Sequence, residues 1–203
     1  MQTQTQLEHD RRVEEKIRKV KELYANAPEL GQVALEKGLP DLTREMAAAT
    51  GKESAGRVGA RQGQVSELTS ILTFAEGGAK RLRGLLQLLE GNFKGADAVG
   101  TLHDMRFVFL DNDTRILFAT TYDGEWSPYI DDFATHIPDE LDVMFSNCEG
   151  WPGVRSPAVK DYIAKYQHTA SGWYVASPNV TVKDQWKLEK VGAAVEEFLD
   201  KIA

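Results

Sequence analysis

Between Leu102 and Tyr122 the sequence spells out a hairpin. Leu102–Leu110 and Ile116–Tyr122 are two β-rich runs, and Asp111-Asn112-Asp113-Thr114 between them carries the short Asx side chains that suit a tight turn. An antiparallel pair is therefore expected. Successive strand side chains point to opposite faces, so His103, Met105, Phe107 and Phe109 share one face of the first strand, and Leu102, Asp104, Arg106, Val108 and Leu110 the other. Both faces are partly apolar, which predicts cover on both sides of the sheet, the open side by a second subunit or by the N-terminal helices. The same alternation sets His103 and Arg106 on opposite faces.

The flanking sequence supplies further elements. Leu68–Phe74 alternates apolar and hydroxyl side chains and meets Glu76-Gly77-Gly78, which predicts a strand and a turn. A helix with the stripe Ala79, Leu82, Leu85, Leu86 and Leu89 follows, with Gly91 as its stop. Ser127–Phe145 has helical spacing broken by Pro138, and a short helix over Pro157–Tyr166 leads to a last strand around Trp173–Ser177. Trp186–Ile202 is an amphipathic helix with the stripe Leu188, Val191, Val195, Phe198, Leu199 and Ile202. Upstream, helices are expected over Asp10–Tyr24, Pro28–Glu36 and Pro40–Ala49, then a linker or mobile loop over Thr50–Gln64. The expected fold class is α+β: a ferredoxin-like βαββαβ antiparallel sheet over 65–203, with an N-terminal helical extension over 1–64 and a C-terminal helix.

Charge and cysteine content exclude several classes. A net charge of -7 without a basic, aromatic-interleaved patch argues against a nucleic-acid surface. The single cysteine, Cys148, cannot form an internal disulfide and suits a reducing, cytoplasmic setting. No stretch has the length and apolarity of a membrane span, and Met1–Asp10 lacks the apolar core of a signal peptide. The four histidines are scattered without ligand spacing, and Gly77-Gly78 lacks the rest of a phosphate loop.

The densest polar and aromatic stretch runs from Tyr122 to Asp132, where a strand end meets a helix start. Tyr122, Asp123, Trp126 and Tyr129 are candidate site residues there, although Asp123 or Ser127 would equally serve as a helix cap while the aromatic rings pack. His103 is a candidate base or metal ligand and alternatively a structural histidine of the sheet. Arg106 either pairs with Asp104 or holds a substrate carboxylate. Phe107 and Trp151 complete the candidate substrate-binding set.

The run Leu68–Phe74, Glu76-Gly77-Gly78, the Leu-rich helix and the His103–Leu110 strand resemble the dimeric α/β-barrel superfamily over the last two-thirds of the chain. That superfamily includes cofactor-free antibiotic-biosynthesis monooxygenases, chlorite dismutases and dye-decolourising peroxidases. The resemblance implies an oxidative enzyme acting on an apolar small molecule, haem as a possible cofactor with His103 as its ligand, and a homo-oligomer. His103 or Tyr122 would then serve acid–base or ligand roles, with Arg106 or Trp126 orienting the substrate. The competing expectation is a non-catalytic assembly protein that binds a partner through its terminal helices.

Overall fold

The computed structural model describes residues 4–48, 53–90 and 93–202. They form two compact units, divided between Thr50 and Gly51. The first is a helical hairpin, α1 (Gln4–Tyr24) and α2 (Glu29–Ala48), in which Val13, Ile17, Val20, Leu35 and Leu39 are half-buried. Leu23, Leu30 and Leu42 remain exposed. Pro40 lies inside α2, where the sequence predicts a helix boundary. A proline removes one backbone donor and releases one carbonyl. Glu36 and Pro40 are both exposed, so water can satisfy that carbonyl. The predicted end at Ala49 falls outside the described residues.

The second unit is α+β, with a five-stranded antiparallel sheet. Its elements are β1 (Glu53–Ser54), β2 (Ala60–Gln62), β3 (Val65–Thr73), α3 (Gly78–Leu89), a short 3-10 helix (Lys94–Val99), β4 (Leu102–Leu110), β5 (Arg115–Asp123), α4 (Trp126–His136), α5 (Pro138–Phe145), α6 (Val159–Tyr166) and α7 (Val182–Ile202). The strand order across the sheet is β1-β2-β3-β5-β4. The expected hairpin is β4–β5, and its turn takes Asp111, Asn112 and Asp113 through three successive left-handed conformations. The stop of α3 is Glu90, also left-handed, and the predicted stop at Gly91 lies outside the described residues.

Two expectations at the sheet edge are corrected. Part of the Thr50–Gln64 segment, predicted as a linker, forms β1 and β2, because the turn at Gly63 folds β2 back onto β3. The strand expected at Trp173–Ser177 does not form. The chain instead touches β3 by one bridge, Ser70 to Gln167, and by His168 N–H donating to Thr69 O at 2.8 Å, and then leaves the edge. β2 already occupies that edge of β3 at Val65 and Ser66, so a full strand has no free ladder there.

One face of the sheet carries the core. Leu68, Leu72, Phe118 and Tyr122 project towards Leu82 of α3, Trp126, Tyr129, Ile130 and Phe133 of α4, and Leu141, Met144 and Phe145 of α5. α3 is seated by close backbone approach: a Cβ at Gly78 would lie 2.2 Å from the Asn147 carbonyl oxygen, whereas one at Gly84 meets nothing within 4 Å. Opposite outcomes follow for two alanine substitutions in one helix. Gly78→Ala should destabilise the unit by about 1–3 kcal/mol through overpacking. Gly84→Ala should stabilise it by about 0.5–1 kcal/mol, the helix-propensity difference. Urea-unfolding midpoints measure both, and equal shifts would contradict this seating.

Candidate functional site

β4 begins with an irregularity that decides the site. Leu102 pairs with Tyr122 and Asp104 with Thr121, so His103 is an extra residue in a β-bulge. The expectation that His103 and Arg106 face opposite sides is overturned for this reason. The inserted residue resets the alternation: Leu102, Met105, Phe107 and Phe109 pack against the core. His103, Asp104 and Arg106 line a pocket on the other face, with Val65, Thr121, Gln185 and the Trp173–Ser177 segment. Its volume is about 500 Å³, within the range of small-molecule sites.

Asp123, the last residue of β5, organises this pocket. Its Oδ1 lies 2.7 Å from His103 Nε2, and its Oδ2 accepts the Val182 N–H at 2.9 Å. Asp123 N–H donates to Thr101 O at 2.8 Å, which fixes the carboxylate's own backbone. Both side chains of the His–Asp pair are largely buried, at 13% and 11% exposure. An ionised carboxylate only accepts, so Nε2 is the donor of this bond and Nδ1 is the ring nitrogen turned away from Asp123. Gln185 Nε2 is 3.5 Å from Nδ1. Arg106 pairs with Asp104 at 3.3 Å and keeps most of its guanidinium in solvent. The pocket wall is fixed from β2 and the turn after it: Gln62 Nε2 donates to Trp173 O at 2.9 Å, and Gln64 N–H donates to Pro178 O at 2.7 Å.

The remaining candidates lie on the core side. Tyr122 and Tyr129 stack with ring centroids 3.7 Å apart, both fully enclosed with Trp126. Burial raises both phenols well above their usual range, so they stay protonated. Phe107 packs against Phe118 and Phe145, and Trp151 stacks on Phe145 while its Nε1–H donates to Asp142 at 2.8 Å. Trp151 also lines a core cavity of about 30 Å³ beside Ser70 and Phe133. None of these five reaches the His103 pocket. Asp123 and Ser127 do not cap α4: the residue before it is Glu125, which makes no side-chain cap bond, and Ser127 accepts from Lys160 at 2.7 Å.

No protein-family model, curated protein or solved structure matches the chain. The site is therefore read from its own chemistry. Asp123 holds Nε2 of His103, so haem iron would have to be met by Nδ1, which lies 3.5 Å from Gln185 Nε2. No group of three or more His, Cys, Asp or Glu that could hold a metal occurs among the described residues. No helix among them is long and apolar enough to cross a membrane.

Sequence reasoning missed Gln185, Thr121 and the part of Trp173 and Tyr174 as pocket wall. Gln185 carries no local signal, because its partner is 82 residues away. Cys148, 4% exposed, is a core residue. Burial pushes its thiol up to about 12. A thiol reagent should therefore modify the native chain at least about a hundredfold more slowly than the urea-unfolded chain at neutral pH. Equal rates in a timed alkylation assay would place the thiol at the surface.

Proposed function

We propose that the chain is a small-molecule-binding oxidative enzyme of the dimeric α/β-barrel kind, with its site in the pocket around His103. The observation that carries the reading is the largely buried His103–Asp123 pair, whose histidine lines a pocket together with Arg106. The succession β3, α3, β4, β5, then helices supports a ferredoxin-like core whose fourth strand is reduced to the Gln167 bridge. Fold analogy is associational, and the chemistry rests on the side chains.

In this reading Asp123 keeps the His103 Nδ1 lone pair facing the pocket, where it takes a proton from a weakly acidic hydroxyl of the substrate. The Arg106 guanidinium then stabilises the oxyanion that forms. Trp173 and Val175 hold the apolar body. The electron-rich anion then passes two electrons to dioxygen: a quinol leaves as its quinone, and its two electrons and two protons leave with the oxygen as hydrogen peroxide.

The test is oxygen uptake with a panel of phenols and quinols. His103→Ala should lower kcat by about 10²–10⁴, the usual weight of a positioned base. Asp123→Asn should act in the same direction, since the amide has one acceptor oxygen for two donors, Val182 N–H and His103 Nε2–H, and its NH2 beside Nε2 selects the other imidazole tautomer. A wild-type chain that consumes no oxygen and shows no thermal shift with any member of the panel would end the enzyme reading.

One observation favours a second reading, a partner-binding protein that works through its terminal helices. α7 exposes Leu188, Val191, Val195, Phe198, Leu199 and Ile202 together along one helix.

A further inference from the structure

We infer that α7 is the seam of a homodimer, pairing in parallel and in register with α7 of a second copy of this chain. The inference rests on the second reading above and names its partner.

The spacing selects a helical partner. Leu188, Val191, Val195, Phe198 and Ile202 follow at intervals of three, four, three and four. This is the 3.5-residue period with which one helix packs knobs into the holes of another. Each of the five is between 50% and 64% exposed, so nothing in its own unit occupies the stripe. Only the first turn is held, by Asp123 on Val182 N–H and by Gln185 beside His103.

Charge then separates the possible occupants. α7 carries five acidic and four basic side chains, so it lacks the basic excess that holds an interfacial helix on an anionic membrane. Taking Leu188, Val195 and Ile202 as the a positions and Val191 and Phe198 as d, the flanking e and g positions within the seam are Lys187, Gly192, Ala194, Leu199 and Lys201. A parallel pair faces g with the following e of its partner, Lys187 with Gly192 and Ala194 with Leu199, and no like charges meet. An antiparallel pair that sets Val195 against Val191 faces g with g and brings Lys187 to Lys201, which repels; the register that sets Val195 against Phe198 avoids this but leaves Leu188 without a partner in the helix. Val195 and Ile202, two of the three a residues, are β-branched, as parallel two-stranded pairs prefer at a. Glu189, Lys190, Glu196, Glu197 and Asp200 stay on the outer face.

Two heptads make a short seam, so light scattering on the full-length chain is run across a concentration series. The mass should rise from the 22.6 kDa of one chain to twice that value. Val195→Glu sits at an exposed position and should leave the circular dichroism of the sheet unchanged, while weakening association at least about a hundredfold by placing like charges in the seam. Oxidised Leu188→Cys chains should link to one another, and a mixture of Leu188→Cys with Ile202→Cys should give few mixed links. A chain that stays monomeric at every concentration overturns the inference, whether α7 meets the helical hairpin of its own chain or vesicles of phosphatidylserine. A dimer that survives Val195→Glu overturns it too, by assigning the contact to another surface, and predominant 188–202 links overturn the parallel register. None of these results depends on oxygen uptake at His103.

Discussion

The bond from Asp123 to His103 fixes more of this molecule than any contact of similar size. His103 is the extra residue of the β4 bulge, and Asp123 holds its imidazole on the face opposite the core. The carboxylate is placed by the end of β5, whose N–H is tied to Thr101 O, and its second oxygen receives the first amide of α7. A helix N-terminus carries partial positive charge, so the same carboxylate suits both partners. One side chain thereby joins the bulge, the sheet end and the start of the last helix. Its largely buried position makes each bond stronger than it would be in water, and costly to leave half made.

The opposite face of the sheet is governed by packing alone. Tyr122, Tyr129 and Phe133 form a continuous aromatic column from β5 into α4, and Phe107, Phe118, Phe145 and Trp151 form another towards α5. These rings hold the helices at fixed positions over the sheet, and their offset and edge contacts add to the area they bury. A rigid support of this kind is what a site on the other face requires. The two faces therefore divide the labour: aromatic residues resist deformation on one, while titratable ones are left half-covered on the other.

Most of the architecture was legible because local pattern and tertiary outcome agree. The β4–β5 hairpin, the break before Pro138 and the stripe of α7 each follow from turn chemistry or periodicity carried by neighbouring residues. The failures share a different cause. The bulge at His103 depends on a carboxylate 20 residues further on. The missing strand at Trp173–Ser177 depends on β2, which lies more than a hundred residues earlier and takes the edge first. Pro40 was misleading because its cost depends on exposure of the carbonyl it releases. For the site, the residue types at His103, Arg106 and Asp123 stood out in the sequence, but their convergence did not, since strict alternation separates what one inserted residue brings together.

The start of α7 also sets how that helix comes into being. Thr181 and Asp184 form a reciprocal cap, with Thr181 N–H donating to the Asp184 carboxylate at 3.1 Å and Asp184 N–H to the Thr181 hydroxyl at 3.2 Å. Helix formation is limited by its first turn, and here that turn is supplied ready-made by the cap and by Asp123. Beyond that turn the helix is held by its own backbone bonds, and its apolar stripe stays open to whatever packs on it.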